Sequence, residues 1–315
     1  MPSSELPTLP TPSTESVRTF ERYREIIPDY EGFLEASRQP LPAHIRVNTL
    51  KIGVEEAREF TAERGYELEP VKGIEEAFRL HQPKRPGSTL EFFLGYYHIQ
   101  GLTSMFPAKI LDAQPGEIVL DLCAAPGGKA THLAQMMKNR GLVVANDTTI
   151  DRIAILRSHI DRLGTTSLLV SRYDGRIFPT RILFDRVLLD PPCSGEGTYR
   201  FGRTSPLSTD PGVVRRLAGL QQRLLRRALD LLRPGGTLVY STCTYAPEEN
   251  EEVIHPFVTN GEVEVLSIDI PFAHSPGLTA WGEKIFHTDL AKALRIYPNQ
   301  VDSWGFFIAK LRKPE

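Results

Sequence analysis

The sequence predicts an α/β protein, a doubly wound parallel sheet preceded by a small α+β domain. Three observations carry that prediction. The chain has 315 residues, the length of about two domains. Residues 118–122, Ile-Val-Leu-Asp-Leu, form the near-continuous apolar run expected of a strand buried on both faces. Beyond it, strand-like and helix-like segments alternate, as parallel strands joined by crossover helices require.

Residues 1–16 hold four prolines and many Ser and Thr, and read as a flexible tail. Two short helices are expected over 17–37, with Phe20, Tyr23, Ile26 and Ile27 on one apolar face. Residues 45–50 alternate as a strand, and 53–65 follow as a helix stopped by Gly65. Shorter strands run to His98, so 17–98 is expected to form the first domain and 99–315 the second. In the second, strands are expected at 118–122, 142–145, 167–170, 186–189 and 237–240. Helices are expected at 129–138, 150–163 and 213–232. Strands at 263–266 and 305–309 close the sheet.

Composition excludes several classes. With 41% hydrophobic and 24% charged residues the chain is neither disordered nor unusually polar. A net charge of −2 gives no bulk attraction to a polyanion, so any such partner needs a local patch. Three scattered cysteines build no disulfide framework, and no Cys-x-x-Cys or His-Glu-x-x-His metal pattern occurs. No apolar run approaches the ~20 residues of a membrane span. The N-terminus lacks the basic and apolar regions of a secretory signal. A soluble cytoplasmic monomer with free thiols is the expectation.

The strand at 118–122 runs into Cys123-Ala124-Ala125-Pro126-Gly127-Gly128-Lys129, whose small residues let a ligand approach the backbone at a strand's carboxyl end. A phosphate loop would need glycine at Cys123 and Ser or Thr at Ala130, and the dinucleotide G-x-G-x-x-G is absent. Asp147 stands 26 residues after Asp121, where an acid can accept both hydroxyls of a ribose. With Asp174 and Asp190, four acids follow four successive strands. That set fits an adenosine bearing a cation, the character of S-adenosylmethionine.

Cys193, in Asp-Pro-Pro-Cys, and Cys243, in Ser-Thr-Cys-Thr, follow the next two strands and so lie at the same edge. A thiol there has a purpose. Carbon 5 of cytosine is too weak a nucleophile to take a methyl group, but thiolate addition at carbon 6 makes it an enamine. A carboxyl such as Asp190 near the ring nitrogen would stabilise the charge that develops. The residues alone leave open whether Cys193 or Cys243 attacks.

Residues 46–51 (Arg-Val-Asn-Thr-Leu-Lys), 100–107, 123–129, 190–198 and 235–244 together resemble the Nop/Sun family of RNA (cytosine-5)-methyltransferases. The resemblance covers nearly all of the chain after residue 17. It implies a class I (Rossmann-like) S-adenosylmethionine-dependent methyltransferase domain behind a small RNA-recognition-like domain. It further implies Cys243 as nucleophile and Cys193 as the thiol that assists release. The cofactor contacts it implies are the backbone of 123–129, Asp147 at the ribose, Asp174 at the adenine and Asp190 near the methionine end. Ala130 stands where the family usually has Thr, and Gly101 where Glu is common.

An RNA partner is expected, rRNA first and tRNA second. Eight arginines against two acids over 199–233 give a local balance of +6, with Arg200 and Arg203 the favoured RNA contacts. Arg46, Lys84 and Arg85 extend the track. Tyr199, Phe201 and Tyr245 read equally as base-stacking or core residues, and His81, His98 and His132 as structural. Two other readings compete. An exocyclic-amine methyltransferase would want an aromatic where Cys193 stands. A non-catalytic RNA-binding assembly factor would have no chemical need for both cysteines.

Overall fold

The computed structural model describes residues 20–179, 181–200 and 210–315. After helix α1 (Tyr30–Arg38) comes a small antiparallel sheet of β1 (Ala43–Val47), β2 (Glu67–Pro70), β3 (Ala77–Gln82) and β4 (Tyr97–Ile99), ordered β2-β3-β1-β4. Helix α2 (Val54–Ala62) joins β1 to β2 and the short α3 (Leu90–Phe93) precedes β4. This β-α-β-β-α-β order is the split βαβ arrangement of RNA-recognition-like domains. Ile45, Val47, Phe78, Leu80 and Tyr97 are its core.

Helix α4 (Leu102–Leu111) is apolar on nearly every side and buried on nearly every side. It leads into β5 (Ile118–Asp121), α5 (Gly128–Met136), β6 (Leu142–Asn146), α6 (Ile150–Leu163), β7 (Leu168–Ser171) and β8 (Phe184–Leu189). Then follow α7 (Pro211–Leu231), β9 (Leu232–Thr242), α8 (Glu251–Thr259) and β10 (Glu264–Leu266). The last strands are β11 (Ser275–Pro276), a hairpin of β12 (Ala280–Trp281) and β13 (Lys284–Ile285), β14 (Leu294–Ile296) and β15 (Phe306–Arg312). Strands β7-β6-β5-β8-β9 pair in parallel, and β15, β14 and β11 continue the sheet antiparallel. The chain builds outward from β5 through β6 to β7, then returns to β8 beside β5. That reversal leaves a crevice at the carboxyl ends of β5 and β8, where open α/β sheets bind ligands.

Residues 20–38 do not join the small sheet: Phe20, Tyr23, Ile27, Tyr30 and Phe33 pack with Tyr245 and Tyr297 of the large domain. An apolar helix face tells what is buried but not against what. The acid-rich stretch after Tyr245 contains α8, which buries Val253, Ile254, Phe257 and Val258. Its Glu251 is wholly buried and accepts from Arg295 Nε at 2.7 Å, while Arg295 Nη1 donates to Tyr245 O at 2.9 Å. Removing one partner of such a pair strands the other charge. Arg295→Met is therefore expected to cost about 3–5 kcal/mol in urea-melt stability.

Candidate active site

Two loops leave the sheet side by side. Strand β8 releases Asp190-Pro191-Pro192-Cys193 and β9 releases Cys243-Thr244-Tyr245, and the two sulfurs stand 3.3 Å apart. Backbone bonds lock the loops together: Gly197 N–H donates to Cys243 O at 2.8 Å, and Gly305 N–H to Gly197 O at 2.9 Å. The approach is too close for side chains. A Cβ on Gly197 would lie 2.3 Å from Gly305 O.

Two buried carboxylates brace these loops, and neither was singled out from sequence. Glu196 accepts from Tyr23 Oη at 2.9 Å and Thr244 Oγ1 at 3.0 Å, tying the N-terminal segment to the Cys243 loop. Glu249 accepts from Ser194 N–H at 3.1 Å and Gln221 Nε2 at 2.8 Å. Burial pushes both carboxyls upward against those bonds. Their only sequence signal was an acid within a few residues of each cysteine.

The loop after β5 passes between two cavities. One, of 420 Å³, is lined by Gln100, Asp121, Cys123, Gly128, Lys129 and Asp190 among others. The second, of 490 Å³, is lined by Cys123, Asp147, Asp174, Pro192, Leu217 and Arg223 among others. Volumes of this order suit a cofactor. Gly127, at φ +110°, turns the chain into α5 where a Cβ would meet Leu156. Lys129 Nζ donates to Asp190 Oδ2 at 2.6 Å and Ser241 Oγ to Asp190 Oδ1 at 2.9 Å. Burial opposes the Lys129 charge, but Asp190, Asp121 and Cys243 outweigh it and hold the ammonium above its ordinary range.

Asp121 is the outlier. Both carboxylate oxygens are buried with no hydrogen-bond partner, and burial, then the nearby Asp190, pushes it up to about 8. A buried carboxyl without donors is costly unless a cation joins it. Asp147 is buried too, accepting from Ala125 N–H at 3.3 Å and Thr149 N–H at 3.1 Å, so it shapes the loop that follows β5. Asp174 is paired with Arg176 on the rim of the second cavity. An adenosine-bearing cation fits these residues, with acids at successive strand ends and an orphaned carboxylate between them.

The family described as 16S rRNA methyltransferase RsmB/F matches residues 108–312. The N-terminal domain of 16S rRNA methyltransferase RsmF matches 18–101. The chain belongs to this family, within the Nop/Sun RNA (cytosine-5)-methyltransferases. It is 38% identical to ribosomal RNA small subunit methyltransferase F of Aliivibrio fischeri, over 90% of this chain and 60% of that protein. It is equally 38% identical to the tRNA (cytosine(49)-C(5))-methyltransferase of Pyrococcus abyssi, over 93% of this chain and 95% of that one. The mouse 28S rRNA (cytosine-C(5))-methyltransferase matches at 38%, but the chain spans only 36% of its length. A methyltransferase homologue from Pyrococcus horikoshii superposes with a TM-score of 0.84 at 36% identity, covering 96% of this chain and 99% of that one. NSun6 from the same organism gives 0.79 at 25%, covering 94% and 98%. The class I S-adenosylmethionine-dependent fold with a small N-terminal domain follows from these matches.

Several expected RNA contacts move. Arg200 is buried, with its guanidinium donating to Ser303 O and, at 2.9 Å, to Tyr199 O. Arg46 is 1% exposed and faces the large domain. Tyr245 is core, edge-on to Phe33 and tilted against Tyr297. On α7 and beyond it, Arg226 pairs with Glu262, Arg227 with Asp230 and Arg233 with Asp185; Glu262 and Asp185 are acids from outside the stretch, so folding neutralises part of its positive charge. Each of these partners is distant in sequence except Asp230. Arg203 and Phe201 lie outside the described residues. His98 and His132 are buried beside Arg162 and Glu76, whereas His81 meets Glu69 at the surface. Among the described residues no helix is long and apolar enough to cross a membrane.

Gly197→Ala forces the two cysteine loops apart. It is expected to destabilise by about 1–3 kcal/mol, as overpacking does, and to lower turnover more than cofactor affinity. Thermal melts, calorimetry and initial rates check this.

Proposed function

We propose that the protein methylates carbon 5 of a cytosine in structured RNA, with rRNA of the small subunit as first choice, in the cytoplasm and as a monomer. The observation that carries this reading is the pair of sulfurs 3.3 Å apart beside the Lys129–Asp190 pair. The tRNA alternative is favoured by a relative of equal identity whose name gives tRNA as its substrate.

In the proposed mechanism Cys243 Sγ adds to carbon 6 of the cytosine. The Lys129 ammonium is held beside Cys243 and paired to Asp190. Asp190 would sit at the ring nitrogen and relay to it a proton from the Lys129 ammonium as negative charge grows there on addition. S-adenosylmethionine supplies the methyl group for carbon 5. Its binding falls to the 123–129 backbone, Asp147, Asp174, Asp190 and the unpartnered Asp121. Cys193 keeps its proton, since its bond to Cys243 and burial both push its thiol upward. It can pass that proton to the Cys243 thiolate as the carbon 6–sulfur bond breaks, and the Cys193 thiolate left behind can take the carbon 5 proton. A cytosine within a helix must be extruded to reach this site.

Bisulfite sequencing of unmodified small-subunit rRNA and tRNA after incubation with protein and cofactor tests the reading. A protected cytosine in one pool is expected, lost with Cys243→Ala, while Cys193→Ala accumulates a covalent RNA adduct on a denaturing gel. Turnover by Cys243→Ala would remove it as nucleophile. RNA binding without methylation of naked or subunit-assembled RNA would favour the assembly-factor alternative.

Asp121 adds a pH signature. In the free protein its carboxyl holds a proton up to about pH 8, and a bound cation requires it ionised. Cofactor affinity in calorimetry is therefore expected to rise as pH increases from 6 to 8 and to level off above, with proton release. Asp121→Asn flattens the profile. The sign for stability is opposite. The unfolded carboxyl ionises near ~4, so the free protein loses stability as pH rises from about 4 to 8.

A further inference from the structure

The Arg-Val-Asn-Thr-Leu-Lys segment of β1 is absorbed neither by the cofactor site nor by an RNA surface. The side chains of Arg46, Asn48 and Lys51 cross to the large domain. Asn48 Nδ2 donates to Leu163 O at 2.8 Å, and Lys51 Nζ to Arg162 O at 2.7 Å, both at the end of α6. In return Gln135 Nε2 of α5 donates to Val47 O at 3.0 Å. These contacts make an interdomain clamp.

Arg46 does something different within it. Its Nη2 donates to Thr131 Oγ1 at 3.0 Å and its Nη1 approaches Gly128 O at 3.4 Å. Because the guanidinium donates to its oxygen, the Thr131 hydroxyl has its proton free for Gly127 O, 2.8 Å away. One buried cation thus restrains, directly or through one hydroxyl, the carbonyls of Gly127 and Gly128, immediately before Lys129. Glu76 supplies the opposing field, itself accepting from His132 Nε2 at 3.0 Å and Lys109 Nζ at 3.3 Å. Taking an arginine this far from water merely to join two domains is poor economy, since Asn48 and Lys51 already join them without burying a charge.

We propose that Arg46 is a positioning residue for the cofactor: from the small domain it fixes the Gly127–Gly128 turn that S-adenosylmethionine must meet. This rests on the cofactor assignment above. A planar fork reaching both an oxygen and a carbonyl is a geometry lysine cannot reproduce. A loop held within a fraction of an ångström by such support binds its ligand without reordering.

The test compares Arg46→Met, Arg46→Lys and Thr131→Val with Asn48→Ala, which loosens the clamp elsewhere. For each, the dissociation constant for S-adenosylmethionine and for S-adenosylhomocysteine is measured by calorimetry, with the melting temperature and RNA affinity. Arg46→Met is expected to weaken both ligands on the order of tenfold, Arg46→Lys and Thr131→Val less. RNA affinity should hold. Asn48→Ala should lower the melting temperature without changing ligand affinity. Equal melting-temperature losses in Arg46→Met and Asn48→Ala, with unchanged cofactor affinity, would overturn the proposal and leave Arg46 a domain fastener. If Arg46→Met does not fold, Thr131→Val alone decides, since it removes the same link from the other side. Failure of the unmodified protein to bind either ligand is a separate result, and would overturn the cofactor assignment itself.

Discussion

The parallel pairing of β8 with β9 is the constraint on which the site depends. Its register sets Leu189 opposite Tyr240, so Cys193 lies four residues beyond that pair on one strand and Cys243 three beyond it on the other. Two chains leaving a sheet in the same direction from neighbouring strands must run close together. The Gly197 and Gly305 contacts then keep them there. A slip of one residue would turn every side chain of β9 to the opposite face and part the sulfurs. The reactive pair is thus a property of sheet register before it is a property of cysteine.

Much of this was legible in the sequence because it is local. A strand followed by small residues, or by Asp-Pro-Pro-Cys, announces a loop at a carboxyl end. The parallel order follows from alternation with helices. Asp121, Asp147, Asp174 and Asp190 accordingly fall at or just beyond the ends of β5, β6, β7 and β8. Hidden from that reading was everything decided by partners distant along the chain. Arg46 reads as a cation for RNA until Thr131 is placed beside it, and Arg200 until Ser303 is. Glu251 reads as surface charge until Arg295 arrives from β14. Local charge counts treat each ion as free, whereas folding settles which ions meet.

The acids of the site divide into two kinds for the same reason. Glu196 and Glu249 are buried but fully engaged by hydroxyl, amide and backbone donors, so they add rigidity to the cysteine loops. Asp121 is buried without a side-chain donor on either oxygen, and its burial outweighs the Lys129 charge nearby. A protein that keeps such a group accepts a loss of stability in its ligand-free form. The loss is recovered when a cation fills the cavity, which makes stability and cofactor occupancy rise together.

Arg215, Arg216 and Arg223 stay exposed, but folding trims the +6 of residues 199–233: Arg200 is buried, and Arg226 and Arg233 pair with Glu262 and Asp185, acids outside that stretch. Lys84 and Arg85, by contrast, are exposed and have no ion pair among the described residues, close in sequence to Phe93, which is 76% exposed. Phe92 and Ile99, from the same part of the small domain, line the cavity that holds Asp121 and Lys129. Two exposed cations and an open aromatic thus stand on the small domain, beside a cavity that reaches Asp121 and Lys129. The clamp at β1 fastens that domain to the cofactor loop. An RNA held there would be presented to a site whose geometry its own binding platform helps to set.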